Sequence, residues 1–309
     1  MSDSRKYLRP EILSRISRLE LRARTVVEGF VSGMHRSPYH GFSVEFAEHR
    51  EYVPGDDIRH IDWRVFAKSD RYYIKQYEEE TNLRSHILLD CSGSMDYPDS
   101  RRAARTGRMT KWDYASTVAA SLAFLQSKQQ DAIGLTLFDH EVRRQISSAA
   151  NPRQLSNMIR IIEEHTPHDK TDVKILFRYL ADRIKRRSMV VVISDFLTDL
   201  DDVIAGLQRL RHTRHEVMVL HVLDQDELEF PFVDQTLFEG IEFDQELLTD
   251  PQALRKSYLD QVERFIHRLR SFCMDTRIDY VLLSTADRLD VALTTFLARR
   301  SHAIRTRVR

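Results

Sequence analysis

From residue 85 onward the sequence alternates between short runs of branched aliphatic residues and longer amphipathic segments. The aliphatic runs predict strands at 86–90, 132–138, 189–194, 216–223 and 279–283. The amphipathic segments predict helices at 112–128, 152–165, 172–186, 200–211, 254–272 and 287–300. Strands that are almost continuously apolar and are separated by helices are typical of a parallel sheet covered on both faces. We therefore predict an α/β fold with a Rossmann-like, open and mostly parallel sheet.

One predicted strand departs from the parallel pattern. The segment Glu141–Ile146 follows the strand at 132–138 after a turn of only two residues, Asp139 and His140. So short a connection joins antiparallel neighbours, because a parallel pair needs a long crossover. We expect this strand to lie antiparallel at the edge of the sheet.

The first 84 residues differ in character from the rest of the chain. Apolar residues at helical spacing predict a helix over 10–30, with Gly29 as its terminator, and this helix should pack on another part of the protein. Residues 31–84 contain short alternating segments broken by turn residues, which indicates a small β-rich segment. The sequence thus predicts an N-terminal helix and β-rich segment at 1–84 and an α/β domain at 85–309.

The composition limits the classes of function. The formal net charge is +0 and the mean hydropathy is −0.44, so no overall field attracts nucleic acid or an anionic membrane surface. No apolar stretch is long enough to cross a bilayer, and the N-terminus has no apolar core of a secretory signal. The two cysteines form neither a disulfide framework nor a zinc cluster. We expect a cytoplasmic protein with no transmembrane segment and no nucleic-acid partner.

Oxygen-bearing side chains follow the predicted strands at one edge of the sheet. Asp90, Ser92 and Ser94 end the first strand of the α/β region, Thr171 precedes a helix, and Asp195 ends the strand at 189–194. In open α/β sheets ligands bind beyond the carboxyl ends of the strands. Two carboxylates and three hydroxyls form a set of hard oxygen ligands that suits Mg²⁺ or Mn²⁺. The alternative is a serine-rich turn that caps the next helix.

The pattern Asp-x-Ser-x-Ser after a strand, a later Thr and a later Ser-Asp resembles the metal-ion-dependent adhesion site of von Willebrand factor A-type domains. The resemblance covers residues 85 to about 300 and includes all five motif positions. It implies that Ser92 and Ser94 bind the metal directly, and that Thr171 binds it directly or through water. It implies that Asp90 and Asp195 supply charge, directly or through water. A partner's Asp or Glu carboxylate would complete the coordination.

A second resemblance lies upstream of the α/β region. The segments Gly33–Ser37, Gly41–Phe46 and Arg50–Trp63 are similar to the signature of a bacterial family of unknown function that accompanies MoxR-type AAA+ ATPases. The resemblance implies an adaptor or co-chaperone partner of such an ATPase, acting on a client protein. Within the last segment, we expect charged residues to form ion pairs and Trp63 to be an apolar anchor, although a partner surface is the alternative.

Two further features have alternative interpretations. The basic run that ends in Arg108 and Lys111 either steers an acidic partner towards the metal or forms a solvated loop. The metal at the oxygen-rich site either binds a partner's carboxylate or activates a water molecule, as in a metal-dependent hydrolase. The sequence contains neither a phosphate-binding loop nor a Gly-x-Ser-x-Gly motif, and no general base stands beside the site apart from the carboxylates. We therefore expect a binding protein with no catalytic residues; a motif that is intact but binds no metal is a third possibility.

Overall fold

The structure is a computed structural model of the 309-residue chain. It describes residues 18–34, 49–52, 63–69, 71–75, 84–99, 103, 107–170, 183–184, 186–242, 245–289 and 294. The chain forms two compact units. The larger unit comprises Met1–Val31 together with Leu83–Arg309, and the smaller comprises Ser32–Asn82. Most of the N-terminal helix therefore belongs with the α/β region rather than with the β-rich segment that follows it.

The described helices are α1 (Arg18–Met34), α2 (Trp63–Ser69), α3 (Lys111–Lys128), α4 (Gln154–Glu163), α5 (Leu200–His212), α6 (Gln225–Glu229) and α7 (Pro251–Asp275). The described strands are β1 (His49–Glu51), β2 (Tyr73–Lys75), β3 (Arg84–Asp90), β4 (Ala132–Phe138), β5 (Val142–Ala149), β6 (Met189–Ser194), β7 (Glu216–Leu223), β8 (Thr236–Glu239), β9 (Glu246–Thr249) and β10 (Asp279–Ser284). A short 3₁₀ helix covers Gly93–Asp96. Among the described residues, no helix is both long enough and apolar enough to cross a membrane.

The main sheet has six strands in the order β10-β7-β6-β3-β4-β5. Five strands are parallel, and β5 pairs antiparallel with β4 at one edge. The α/β fold, the five predicted parallel strands and the antiparallel edge strand are thus confirmed. From β3 the chain continues outward to β4, whereas from β6 it continues outward in the opposite direction to β7. The carboxyl ends of β3 and β6 therefore lie at the point where the strand order reverses, which is where open α/β sheets bind ligands.

Both faces of the central strands are covered. On one face, strands β6 and β7 pack against α5 and α7, where Leu207 and Cys273 are fully buried. Residues of β6 alternate between the two faces, so Val190 and Val192 contribute to this core while Val191 faces the other way. Helix α3, which is buried along almost its whole length, contacts β3, β4, β6 and β7. A β6 strand covered on both sides explains its continuous apolar sequence.

The N-terminal helix extends further than the sequence predicts. It continues through Gly29 to Met34, so the prediction that Gly29 ends it is wrong. Its buried residues are Leu19, Ala23 and Val27, spaced four apart, which form one apolar stripe. The backbone N–H of Leu19 donates to Glu163 of α4 at 3.1 Å, so the helix packs against the α/β unit as expected.

Two predicted helices cannot be compared with the structure, and one observed hairpin was not predicted. The helices predicted over 172–186 and 287–300 lie almost entirely outside the described residues. The antiparallel hairpin of β8 and β9 is not among the predicted elements. Its strands have only four residues each, which is too short for an alternation of apolar and polar residues to stand out.

In the smaller unit, β1 and β2 pair antiparallel, and α2 lies between them in sequence. The aromatic packing in this unit centres on Phe66, whose ring stacks on Tyr72 with centroids 4.5 Å apart. Trp63 touches Phe66 edge-on, but its side chain is 61% exposed. An apolar anchor would be buried, so the prediction that Trp63 serves as one is wrong. Residues 53–62, which carry most of the charged signature, lie outside the described residues.

Gly134 allows strand β5 to approach β4 closely at a bulge. The register between these strands shifts between Ile133 and Leu135, and a Cβ on Gly134 would lie 2.9 Å from both the Ile146 carbonyl oxygen and the Ser148 nitrogen. Real Cβ atoms do not approach backbone atoms so closely, so one of the strands would have to move. The close pairing of β4 and β5 at this bulge therefore requires a glycine at residue 134.

We predict that Gly134→Ala lowers the free energy of unfolding by about 1–3 kcal/mol because the added methyl group overpacks the bulge. Urea denaturation of the variant and the wild type measures this loss. Ser147→Ala, an exposed change on the same edge strand, should alter stability by less than about 0.5 kcal/mol. Equal stability of all three proteins would show that the bulge tolerates a side chain.

Candidate metal centre

The loop after β3 folds back on itself immediately beyond the strand. Asp90 is the last residue of β3, and its Oδ1 accepts a hydrogen bond from the backbone N–H of Ser92 at 3.0 Å. The chain then enters the 3₁₀ turn, where the Met95 N–H donates to the Ser92 carbonyl oxygen at 3.1 Å. This turn brings the Ser92 and Ser94 hydroxyl oxygens to within 3.1 Å of each other. Asp90 and Ser92 are fully buried, and Ser94 is 7% exposed.

Strand β6 brings Asp195 to the same place. Strands β3 and β6 are parallel neighbours, with Leu89 opposite Ile193. The two strands therefore end at the same edge of the sheet, and the residues that follow them lie close together. The Ser194 hydroxyl donates to Asp90 Oδ2 at 2.5 Å, and the Ser94 hydroxyl hydrogen-bonds to the carboxylate of Asp195. The structure therefore brings together four of the five predicted ligands, namely Asp90, Ser92, Ser94 and Asp195.

The fifth predicted ligand, Thr171, lies outside the described residues. The segment just before it does contact the loop. The Gly93 N–H donates to the Asp169 carbonyl oxygen at 2.8 Å, and the His168 N–H donates to the Cys91 carbonyl oxygen at 3.2 Å. These backbone bonds hold residues 168 and 169 beside the loop of the candidate ligands.

The two site carboxylates differ in charge environment. Burial, followed by the negative charge of Asp195, raises the pKa of Asp90 to about 7. Burial also opposes ionisation of Asp195, but the ammonium of Lys111 holds the pKa of that carboxyl below its ordinary value. Asp195 is thus the permanently charged member of the pair. A nearby cation would stabilise the ionised form of Asp90 more than that of Asp195, which already pairs with Lys111.

Lys111 is a fully buried cation beside the site. Its Nζ donates to Asp195 Oδ2 at 2.7 Å and to Glu227 Oε1 at 2.6 Å. Burial disfavours its charge, but the two carboxylates raise its pKa. Lys111 begins α3 and Glu227 lies in α6, so this ion pair network connects the end of β6 to two helices. The network fixes the orientation of the Asp195 carboxylate.

The basic run is therefore not simply a solvated loop. Arg108 forms ion pairs with Asp224 and Asp226, both buried, and its NH1 lies 2.9 Å from Asp226 Oδ1. Lys111 is 0% exposed. For these two residues the solvated-loop interpretation is wrong, because Lys111 is buried and Arg108 pairs with two buried carboxylates. Arg101, Arg102 and Arg105 lie outside the described residues.

The spacing of the oxygen atoms fits a small divalent cation. At Mg²⁺–oxygen distances of about 2.1 Å, two ligands at neighbouring corners of an octahedron lie about 3.0 Å apart. The Ser92 and Ser94 hydroxyl oxygens are separated by 3.1 Å, which matches this value. The two hydroxyl oxygens are therefore close enough together to bind one small divalent cation such as Mg²⁺ or Mn²⁺.

The charges around the site also fit a divalent cation. Asp195 and Glu227 contact the ammonium of Lys111, and Asp90 lies beside Asp195. When all three carboxylates are ionised, this group has two excess negative charges. Buried charge without compensation is costly. One Mg²⁺ ion would neutralise that excess, whereas protonation of Asp90 would relieve only half of it.

A second group of possible ligands lies nearby. It consists of Asp139, His140 and Asp169, each of which offers one possible ligand atom, and these three atoms lie within 4.8 Å of one another. A cation already occupies this group, because the Arg143 guanidinium lies 2.5 Å from carboxylate oxygens of both Asp139 and Asp169. These contacts tie β5 to the segment that precedes Thr171. We interpret this group as an ion-pair network that supports the loop.

Two residues at the site were not identified from the sequence. Lys111 was grouped with the basic run, because the polar residues of the helix that it begins gave no sign that the helix is buried along almost its whole length. Glu242, between β8 and β9, accepts a hydrogen bond from the Ser94 backbone N–H at 3.3 Å. It lies 148 residues away in a segment without a motif, so nothing in the sequence pointed to it.

The fold and the site together define an α/β protein with a cluster of buried, oxygen-bearing side chains at the carboxyl edge of its sheet. A family model described as "Protein of unknown function DUF58" matches residues 48–267. The chain belongs to this family.

Similar proteins include uncharacterized mycobacterial proteins. One from Mycobacterium tuberculosis strain H37Rv is 27% identical over 238 residues, covering 75% of this chain and 72% of the relative. A protein from Mycobacterium bovis gives the same values. These relatives support the family assignment.

Among solved structures, an aerotolerance-related membrane protein from Bacteroides fragilis is 14% identical, covers 68% of this chain and 94% of its own, and gives a TM-score of 0.44. The conserved hypothetical protein BatB from Bacteroides thetaiotaomicron is 12% identical, with coverages of 71% and 99% and a TM-score of 0.42. The fold assignment rests on the strand order and register described above rather than on these similarities.

We predict that Lys111→Met destabilises the protein by about 3–5 kcal/mol, because it leaves Asp195 and Glu227 buried without their counter-ion. Thermal and urea denaturation measure the loss. The control is Lys128→Met, which removes an exposed lysine at the other end of the same helix and should change stability by less than about 0.5 kcal/mol. Equal losses from the two variants would contradict the assigned role of Lys111.

Proposed function

We propose that the α/β unit is a von Willebrand A-type, metal-dependent binding module that recognises a carboxylate of a partner protein. Asp90, Ser92, Ser94 and Asp195 would hold Mg²⁺ or Mn²⁺, with Thr171 as a further ligand implied by the motif. The observation that carries the proposal is the convergence of two hydroxyls 3.1 Å apart and two buried carboxylates at the reversal in strand order. When bound, the cation supplies a concentrated positive charge with an exchangeable position for an outside oxygen ligand.

The protein's own residues would set the strength of that recognition. Hydroxyl ligands carry no formal charge, so Ser92 and Ser94 leave the cation's charge only partly neutralised. Lys111 offsets part of the charge of Asp195 through its 2.7 Å contact with Oδ2. Both features favour an additional anionic ligand from outside. An Asp or Glu side chain is the protein group that meets this requirement.

The proposed partner is a MoxR-type AAA+ ATPase, with this chain acting as its adaptor or co-chaperone on a client protein in the cytoplasm. Its support is the sequence resemblance of the segments Gly33–Ser37, Gly41–Phe46 and Arg50–Trp63 to the family signature. The bridging carboxylate would come from the ATPase or from its client.

The environment of the neighbouring imidazole favours binding over hydrolysis. His221 lies beside Asp195, with its Nε2 3.0 Å from the Asp195 carbonyl oxygen and its Nδ1 2.7 Å from the Tyr280 hydroxyl. Burial lowers the pKa of His221 to about 4. A ring with both nitrogens occupied by the fold is poorly placed to remove a proton from water. A metal-dependent hydrolase at the same pocket remains the competing function that experiment must exclude.

We predict that the protein binds Mg²⁺ and Mn²⁺ and that Ser92→Ala/Ser94→Ala weakens this binding at least about tenfold, because it removes two ligands. Isothermal titration calorimetry measures both affinities. Ser147→Ala, which removes an exposed hydroxyl of β5, is the control and should bind as the wild type does. Wild-type protein that binds neither ion at millimolar concentration would contradict the proposal and support a fold that retains the motif without the metal.

A binding experiment with a purified MoxR-type ATPase from the same genome tests the proposed partner. We expect Mg²⁺-dependent binding that is abolished by EDTA and by the double serine variant but not by Ser147→Ala. Binding unaffected by chelation would refute a metal bridge. Phosphatase or esterase activity that requires Mg²⁺ and disappears in Asp90→Ala would instead support the hydrolase.

A further inference from the structure

The tip of the β8–β9 hairpin lies on the loop that carries the candidate ligands. Strands β8 and β9 pair from Thr236 opposite Thr249 to Glu239 opposite Glu246, and the Gly240 N–H closes the hairpin by donating to the Gln245 carbonyl oxygen at 2.8 Å. Beyond this closing bond, Glu242 reaches the loop. Its Oε1 accepts a hydrogen bond from the Ser94 backbone N–H at 3.3 Å.

A second contact shows that the tip packs against the loop rather than touching it through one side chain. A Cβ placed on Gly93 would lie 3.4 Å from Ile241 Cγ2 and 3.6 Å from the Ile241 carbonyl oxygen. These distances are those of ordinary van der Waals contact, so the tip packs directly against the loop at residue 93. The approach positions a carboxylate next to Ser94, whose hydroxyl is one of the candidate ligands.

On the basis of the proposed function, we propose that Glu242 is a ligand supplied by the chain itself. Its carboxylate takes the position at the cation that a partner's carboxylate would otherwise occupy. The group is of the class that the site recognises, an acidic side chain. It is covalently attached, so its effective concentration is high. A partner must then displace Glu242, which makes the hairpin an internal competitor that sets the threshold for binding.

The hairpin has the features of an element that can release its tip. It forms a two-stranded sheet separate from the main sheet, and two-stranded hairpins are marginally stable by themselves. Phe238 anchors the hairpin, and its ring stacks on Phe230 with centroids 5.7 Å apart. Leu247, opposite Phe238, is 55% exposed, and Ile241 at the tip is 54% exposed, so these two side chains bury little apolar surface. Local opening at low cost is expected for such a segment.

The test compares Glu242→Gln with the wild type, using Mn²⁺ alone as the probe. Glutamine keeps the size of the side chain and removes its charge. Glu246→Gln is the matched control, because Glu246 is an exposed carboxylate of the same hairpin. Calorimetry measures Mn²⁺ affinity, and water-proton relaxation measures how many water molecules the bound ion retains.

We expect Glu242→Gln to bind Mn²⁺ about tenfold more weakly than the wild type and to retain an additional coordinated water. Acetate, a minimal carboxylate, should displace that water in Glu242→Gln at concentrations that leave the wild type unchanged. Glu246→Gln should match the wild type in all three measurements. In the wild type, Mg²⁺ should also slow hydrogen exchange at Gly240–Glu242, a result that does not depend on any variant folding.

Two results would overturn the inference. If the wild type binds Mn²⁺ and Glu242→Gln shows the same affinity and the same coordinated water, then Glu242 is not a ligand, and the proposed metal-binding function stands without it. If the wild type binds no Mn²⁺, the proposed function fails and this inference fails with it.

Discussion

Two buried carboxylates, Asp90 and Asp195, lie side by side at the carboxyl ends of adjacent parallel strands. Placing two negative charges in a buried site is unfavourable unless cations or hydrogen-bond donors surround them. Much of the local structure meets that need. Ser194 and the Ser92 backbone donate to Asp90, whereas Lys111 is buried to pair with Asp195.

This arrangement explains why the hydroxyls are better placed to hold a cation than to react. The Ser92 and Ser94 hydroxyls face each other and the carboxylates, and the imidazole of His221 is occupied by the Asp195 carbonyl oxygen and Tyr280. With both ring nitrogens engaged, His221 is not positioned to activate either serine as a nucleophile. A cation at this position would relieve the repulsion between the carboxylates. It would also offer a position for a further anion, such as the carboxylate of Glu242 or of a partner.

The sequence was sufficient to predict the elements whose pattern is set by burial on both faces. Strand β6 is apolar throughout because helices cover both its sides, and the short turn at Asp139 and His140 fixed the direction of β5. The same logic placed Asp90 and Asp195 at one edge, since the ends of parallel strands coincide. These predictions needed only local patterns and the general rule for open α/β sheets.

The remaining features depend on contacts between distant segments. In the sequence Lys111 resembles any exposed basic residue, and only the structure shows that it donates a hydrogen bond to Asp195, 84 positions later. Trp63, large and apolar, was expected to be an anchor, but it is mostly exposed, and Phe66 and Tyr72 form the stacked aromatic pair. Glu242 belongs to a hairpin whose four-residue strands are too short to leave a periodic signal. Such partnerships arise from tertiary packing and are not encoded in local spacing.

The central claim is that Asp90, Ser92, Ser94 and Asp195 together hold a divalent cation. A crystal structure grown with Mn²⁺, with anomalous data collected to locate the ion, tests it most directly. We expect one anomalous peak in contact with the Ser92 and Ser94 hydroxyls, with the two carboxylates bound to the ion directly or through water. A peak at Asp139 and Asp169 instead, or no peak at the serines at millimolar Mn²⁺, would contradict it.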